Sequence, residues 1–235
     1  MIPYGRQDIS EDDIAAVVGV LRSDWLTQGP AVPAFEEAIA SYVGARHAVA
    51  VSNGTAALHL AYLALGLGPG DRLWTVPNTF VATANAALYC GATVDFVDVD
   101  RRSYLMSVDA LEAKLEAARR ENALPKIVAP VHFAGQSCDM RAIRGLGERY
   151  GFRIVEDAAH AIGADYLDGK VGNCRYCDIA VFSFHPVKIV TTGEGGALTT
   201  NDPALATVLS ELRTHGITRE AARLEGASEI GRAHV

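Results

Sequence analysis

The strongest constraint on this chain is its alternation, from residue 47 onward, of short apolar runs with longer amphipathic ones. His47-Ala-Val-Ala-Val51 is too short for a stable helix and reads as a buried strand, and a helix follows Gly54. The pattern then repeats. A strand over Arg72–Val76 leads to a helix from about Thr79 to Tyr89, and a strand over Thr93–Val97 leads to a charged helix after Ser107. A strand over Ile127–His132 leads to a helix over Met140–Tyr150, followed by a strand over Arg153–Glu156. Further strands are predicted at Asp178–Phe184 and Gly196–Thr200, with a helix after Pro203. Two helices precede this series. Ser10-Glu-Asp-Asp13 resembles a capping box opening a helix over 11–23, and Pro33 is placed as the first residue of a second helix ending near Gly44. Strand–helix–strand connections favour parallel pairing, so the expected fold is α/β, a mostly parallel sheet with helices on both faces.

The chain has 235 residues, 49% apolar and 21% charged, enough for one large globular domain. No apolar run reaches the roughly 18 residues of a membrane span, and no basic-then-apolar leader is evident at Met1-Ile-Pro-Tyr-Gly-Arg6. The expectation is a cytoplasmic protein without a membrane segment. A formal charge of −7 disfavours nucleic acid as a partner, but local amides can still hold a small anion. Cys174-x-x-Cys177 lacks a second ligand pair, so free thiols are expected and no metal.

Sheets of this class bind ligands beyond the carboxyl ends of their strands. Several polar groups fall there: Asn53-Gly54-Thr55, Asn78-Thr79-Phe80, Asp157 and Ser183. Gly54 and Thr55 open a helix whose free amides and dipole suit a phosphate, although ordinary capping explains them equally well. Asp157 ends a strand as either a ring-nitrogen partner or a helix cap. His160 lies about one turn later if a helix begins there, and Glu156 is expected on the opposite side of its strand. Phe80 is an aromatic at a strand tip, suited to stacking or to the core. Lys188 sits between Ser183-Phe-His-Pro-Val and Thr191-Thr-Gly-Glu-Gly-Gly196, a setting for a Schiff-base lysine. Lysine, carboxylate and phosphate-binding turns together are what pyridoxal 5′-phosphate (PLP) chemistry requires. Gly66-Leu-Gly-Pro-Gly70 follows a helix and precedes a strand, the wrong order for a dinucleotide loop, which argues against an NAD-linked oxidoreductase.

These motifs, with Trp25-Leu-Thr-Gln-Gly29 and Ser52-Asn-Gly-Thr-Ala-Ala57, resemble the DegT/DnrJ/EryC1/StrS sugar aminotransferases over about residues 2–219. The resemblance implies the large domain of a fold-type I PLP-dependent transferase. Lys188 would then carry PLP, Asp157 would face its ring nitrogen and His160 its phenolic oxygen, Phe80 would stack on it, and Gly54, Thr55 and Ser183 would hold its phosphate. Tyr4 and the loop Leu26, Thr27, Gln28 and Gly29 match the family's substrate-side positions. Leu26–Gly29, Val131–Asp139 and Arg213–Gly216 look most like the pseudaminic acid branch. That likeness implies L-glutamate as donor, a UDP-linked 4-keto-6-deoxy sugar as acceptor, and a homodimer. Other nucleotide-linked ketosugars and a non-catalytic homologue are the alternatives.

The implied organisation is an N-terminal arm, helix and substrate-side loop over 1–30, a PLP-binding large domain over 31–214, and a truncated linker over 215–235. By the same resemblance, the family's C-terminal small domain is expected to lie outside this sequence. Residues 229–235 resemble a translated sequencing adapter, so the parent protein is expected to continue beyond about residue 220.

Overall fold

The computed structural model describes residues 6–217, so Tyr4 and the tail from 218 onward lie outside the described residues. Helices α1 (Glu11–Arg22) and α2 (Ala31–Val43) lead into β1 (His47–Val51) and α3 (Gly54–Ala64). Then come β2 (Arg72–Thr75), α4 (Val81–Tyr89), β3 (Thr93–Phe96), α5 (Val108–Arg120), β4 (Ile127–Val128), α6 (Met140–Tyr150) and β5 (Arg153–Asp157). A small hairpin, β6 (Asp165–Tyr166) and β7 (Gly169–Lys170), precedes β8 (Ile179–Ser183), β9 (Gly196–Thr200) and α7 (Pro203–Arg213).

Local chemistry sets most of these boundaries. Ser10 and Asp13 exchange both hydrogen bonds of a capping box at α1, and Asn53, Ser107, Asp139 and Asp202 cap α3, α5, α6 and α7. Helix α2 begins two residues earlier than predicted. Pro33 is its third residue, still within the first turn where a missing N–H leaves no gap. The strand expected over 127–132 shrinks to Ile127–Val128 in regular pairing. Pro130 has no N–H to offer, but its carbonyl accepts from Asp157 N–H at 2.9 Å, and His132 N–H donates to the Asp157 carbonyl at 3.1 Å. The two-residue strands β6 and β7 carry too little periodicity to be read from sequence.

The main sheet has the order β1-β9-β8-β5-β4-β2-β3. Pairing is parallel from β3 through β2, β4 and β5 to β8, and antiparallel on both sides of β9. Strand β9 therefore runs alone against six others, and the carboxyl ends of β1, β2, β5 and β8 share one edge. Alternation of side chains along each strand covers both faces. Val155, Val181 and Leu198 pack with α3, α4 and α7, whereas Val128, Ile154 and Ala180 pack with α5 and α6. Helix α2 adds Ile39 and Val43 against Phe182, Phe184 and Ala197. By contrast α1 buries no residue and leaves Ile14, Val17 and Leu21 exposed. No helix among the described residues is long and apolar enough to cross a membrane.

One close approach fixes the middle of the sheet edge. A Cβ on Gly196 would lie 2.5 Å from the Asn53 carbonyl carbon and oxygen and 2.9 Å from Gly54 N. Backbone cannot yield as a side chain can, so Gly196→Ala is expected to cost about 1–3 kcal/mol, as overpacking does. Gly145, exposed on α6 with nothing within 4 Å of its added Cβ, offers the control. Gly145→Ala should stabilise by about 0.5–1 kcal/mol. Urea midpoints of the two variants against the parent check both signs.

Candidate active site

A cavity of about 400 Å³ opens at the shared carboxyl edge. Its walls include Asn53, Gly54 and Thr55 after β1, Asn78 and Phe80 after β2, Asp157 and His160 after β5, and Ser183 and Lys188 after β8. The sequence-derived cofactor residues are thus brought into one place. Leu26, Thr27, Gln28 and Gly29 are not: they form an irregular loop outside the cavity lining, with Leu26 70% exposed.

The anion-binding corner comes from the start of α3. Asn53 caps the helix by accepting from Ala56 N–H at 2.8 Å. The Gly54 and Thr55 amides make no hydrogen bond among the described residues and remain at the positive end of the helix. Capping by Asn53 therefore leaves these two amides available to an anion. A side chain on Gly54 would meet Ser183 Cβ at 3.0 Å and Oγ at 3.3 Å, so glycine lets the serine hydroxyl stand directly beside these amides.

Asp157 occupies the opposite wall and is 4% exposed. No helix begins after it: residues 159–160 form a turn, and Asp157 Oδ1 accepts from Ala159 N–H at 3.2 Å. Oδ2 accepts from Thr83 Oγ1 at 2.6 Å, a partner that sequence reasoning missed because nothing marks a threonine on an apolar helix as polar in function. No salt bridge reaches Asp157 among the described residues. Glu156 turns to the other face, where its Oε2 lies 3.3 Å from His132 Nε2.

Lys188 sits on the excursion between β8 and β9. That loop is closed at its base, where Phe184 N–H donates to the Gly195 carbonyl at 2.8 Å and the Phe184 carbonyl accepts from Thr191 Oγ1 and Thr192 N–H, each at 3.0 Å. Burial pushes the Lys188 amine below the ordinary lysine range, and the nearby Asp157 charge opposes it without winning. His160 is also lowered, first by burial and then by the Lys188 charge, with Asp157 opposing, so its imidazole is neutral at pH 7. Its ring lies 6.4 Å from that of Phe133. Phe80 is 69% exposed, so its face is available to the cavity rather than spent in the core. The four cysteines are free and buried, and no cluster of three metal-binding side chains occurs among the described residues.

Three unlike groups converge here: amides and a hydroxyl for an anion, a buried carboxylate without a salt bridge among the described residues, and an amine whose pKa burial lowers. They fit the phosphate, ring nitrogen and carbonyl carbon of PLP, respectively. The doubly covered sheet with such a site defines a transferase-type α/β domain. The chain belongs to the DegT/DnrJ/EryC1/StrS aminotransferase family, whose sequence model matches residues 7–232. It is 42% identical to the UDP-4-amino-4-deoxy-L-arabinose–oxoglutarate aminotransferase of Shewanella sediminis, over 100% of this chain and 58% of that protein. Among solved structures it resembles Helicobacter pylori PseC, an aminotransferase involved in pseudaminic acid biosynthesis (32% identity, TM-score 0.85, 97% of this chain and 60% of that one). It also resembles Spr1654 of Streptococcus pneumoniae in its PLP form (31% identity, TM-score 0.80, 92% and 59%), a protein solved in a PMP form as well. The chain spans just over half the length of the curated relatives it matches.

The depressed Lys188 amine has a measurable consequence. Peptide-resolved labelling with an amine-acylating reagent should reach half its limiting rate at lower pH for Lys188 than for Lys170, whose ion pair with Asp165 raises its pKa. Asp157→Asn should move the Lys188 midpoint lower still, because the one charge favouring the ammonium is removed.

Proposed function

We propose that the protein is a PLP-dependent sugar aminotransferase acting in the cytoplasm. In this reading it moves an amino group from L-glutamate to a UDP-linked 4-keto-6-deoxy sugar, giving a UDP-4-amino sugar for surface glycan synthesis of the pseudaminic acid type. The observation that carries this reading is the meeting of Lys188, Asp157 and the Gly54–Thr55 amides around one cavity. The PseC likeness supports the 6-deoxy acceptor. The higher identity to the Shewanella sediminis enzyme favours a second reading, in which the acceptor is a UDP-linked 4-ketopentose. The oxoglutarate in that enzyme's name supports glutamate as donor in both.

When bound, the cofactor supplies a pyridinium ring that takes up the electron pair released at the substrate carbon. The chain's own groups do the rest. Gly54, Thr55 and Ser183 would hold the phosphate, and Phe80 would cover one ring face and keep water from it. Asp157 keeps the proton on the ring nitrogen, and neutral His160 offers a hydrogen bond toward the phenolic oxygen. Lys188 would hold the cofactor at its aldehyde carbon, and its amine would move a proton from the donor's Cα to the cofactor and, in the return half, from the cofactor to the acceptor carbon. Its burial-lowered pKa leaves more of the amine free to act as base near neutrality. Lysine is needed for that shuttle, which separates this reading from a non-catalytic homologue.

The exposed apolar face of α1 and the uncovered Trp25 and Leu26 support completion of the site by a second subunit and by a further domain. Tyr4 and Leu26–Gly29 would then meet the sugar in the assembled homodimer.

Incubation with PLP should produce a visible absorbance band. Borohydride should fix the cofactor to the peptide containing Lys188, and Lys188→Ala should abolish both. The band's absence from the unmodified protein would remove the proposal. With glutamate present, turnover of the UDP-linked 4-keto-6-deoxyhexose against the 4-ketopentose decides between the two acceptors.

A further inference from the structure

Behind Asp157 stands a short chain of hydroxyls. Thr83, in the first turn of α4, is fully buried, and its Oγ1 lies 2.6 Å from Asp157 Oδ2. An ionised carboxylate only accepts, so the Thr83 proton is committed to Asp157. Thr79 Oγ1 lies 2.7 Å from Thr83 Oγ1. With the Thr83 proton already used, Thr79 must be the donor in that contact. The result is a one-way sequence, Thr79 O–H to Thr83 Oγ1 and Thr83 O–H to Asp157 Oδ2. The other carboxylate oxygen receives the Ala159 amide. The Thr83 segment is itself anchored, because its carbonyl accepts from the buried Tyr62 hydroxyl at 3.1 Å. Burial, and then the Asp157 charge, raise that phenol well above its usual range, so it stays a donor.

We propose that Thr83 and Thr79 form a hydroxyl relay that fixes the Asp157 carboxylate in place for the cofactor's ring nitrogen. The role is one of positioning, and it rests on the function proposed above. A buried carboxylate without a cation is costly, and neutral donors offset only part of that cost. The Thr83 hydroxyl and the Ala159 amide restrain the carboxylate's rotation, and donation from Thr79 polarises the Thr83 hydroxyl. The capacity left over faces the cavity, where a protonated ring nitrogen supplies the missing positive charge. An ordinary buried threonine would satisfy its own hydroxyl without affecting recognition of that one atom.

The test uses binding rather than turnover. Affinities of the protein for PLP and for 1-deaza-PLP, which has carbon in place of the ring nitrogen, are measured by fluorescence titration. Thr83→Val keeps the side chain's shape and removes the donor. It should weaken PLP about tenfold, the scale of one hydrogen bond to a charged group, and leave the deaza analogue within about twofold. Thr83→Ser, which retains the hydroxyl, should restore PLP binding to within about threefold. Equal losses for both ligands would mean a structural role only and overturn the relay, as would no loss for either. Should Thr83→Val fail to fold by circular dichroism, Thr79→Val makes the same comparison from the end of the relay. A parent protein that binds neither ligand would bring down the proposed function itself.

Discussion

The contact between β9 and the turn that opens α3 organises everything at the functional edge of this molecule. Strand β9 runs against its neighbours, so its first residue, Gly196, arrives beside the last residues of β1 and β8. Only a residue without a side chain can lie against the Asn53–Gly54 backbone at that point. The pressing of strand on turn sets where the Gly54 and Thr55 amides sit relative to Ser183, and Ser183 in turn sets where the lysine loop departs. Gly54 repeats the device on a smaller scale, its bare Cα making room for the Ser183 hydroxyl.

Charge is arranged around this frame with economy. The only buried carboxylate on the cavity side, among the described residues, is Asp157, and its strand neighbour Glu156 is turned toward His132 on the far face. The amine of Lys188 and the imidazole of His160 are both pushed toward their neutral forms by burial, and the Lys188 charge lowers His160 further. The pocket thus contains groups able to accept protons next to one fixed negative charge. That is a suitable ground state for a cationic ring.

Much of this was legible in the sequence because it follows from local rules. Alternating apolar runs gave the strands, capping residues gave the helix starts, and Asp157, Ser183 and Lys188 fall at strand ends where such sheets bind ligands. What was not legible depends on tertiary proximity. Gly196 reads as the first residue of a strand, yet its lack of a side chain serves close packing of backbone on backbone. Thr83 looks like one more small residue in Val81-Ala-Thr-Ala-Asn-Ala-Ala, and its hydrogen bond to Asp157 appears only when the first turn of α4 meets the tip of β5. The expected strand to His132 was interrupted because Pro130 withdraws a donor, and the hairpin β6–β7 was too short to leave a pattern. The substrate-side residues Leu26–Gly29 carry a family likeness but no contact with the cavity among the described residues.

The reversed strand also has a consequence for how the protein is made. Val51 pairs with Gly196, so β1 must wait for β9 to leave the ribosome before it gains its one sheet neighbour among the described residues. Contacts of such large sequence separation form late, after the loop entropy between them has been overcome. The turn at Asn53–Gly54 is therefore unfinished until β9 has been made. That turn takes its place through a long-range pairing rather than by local folding.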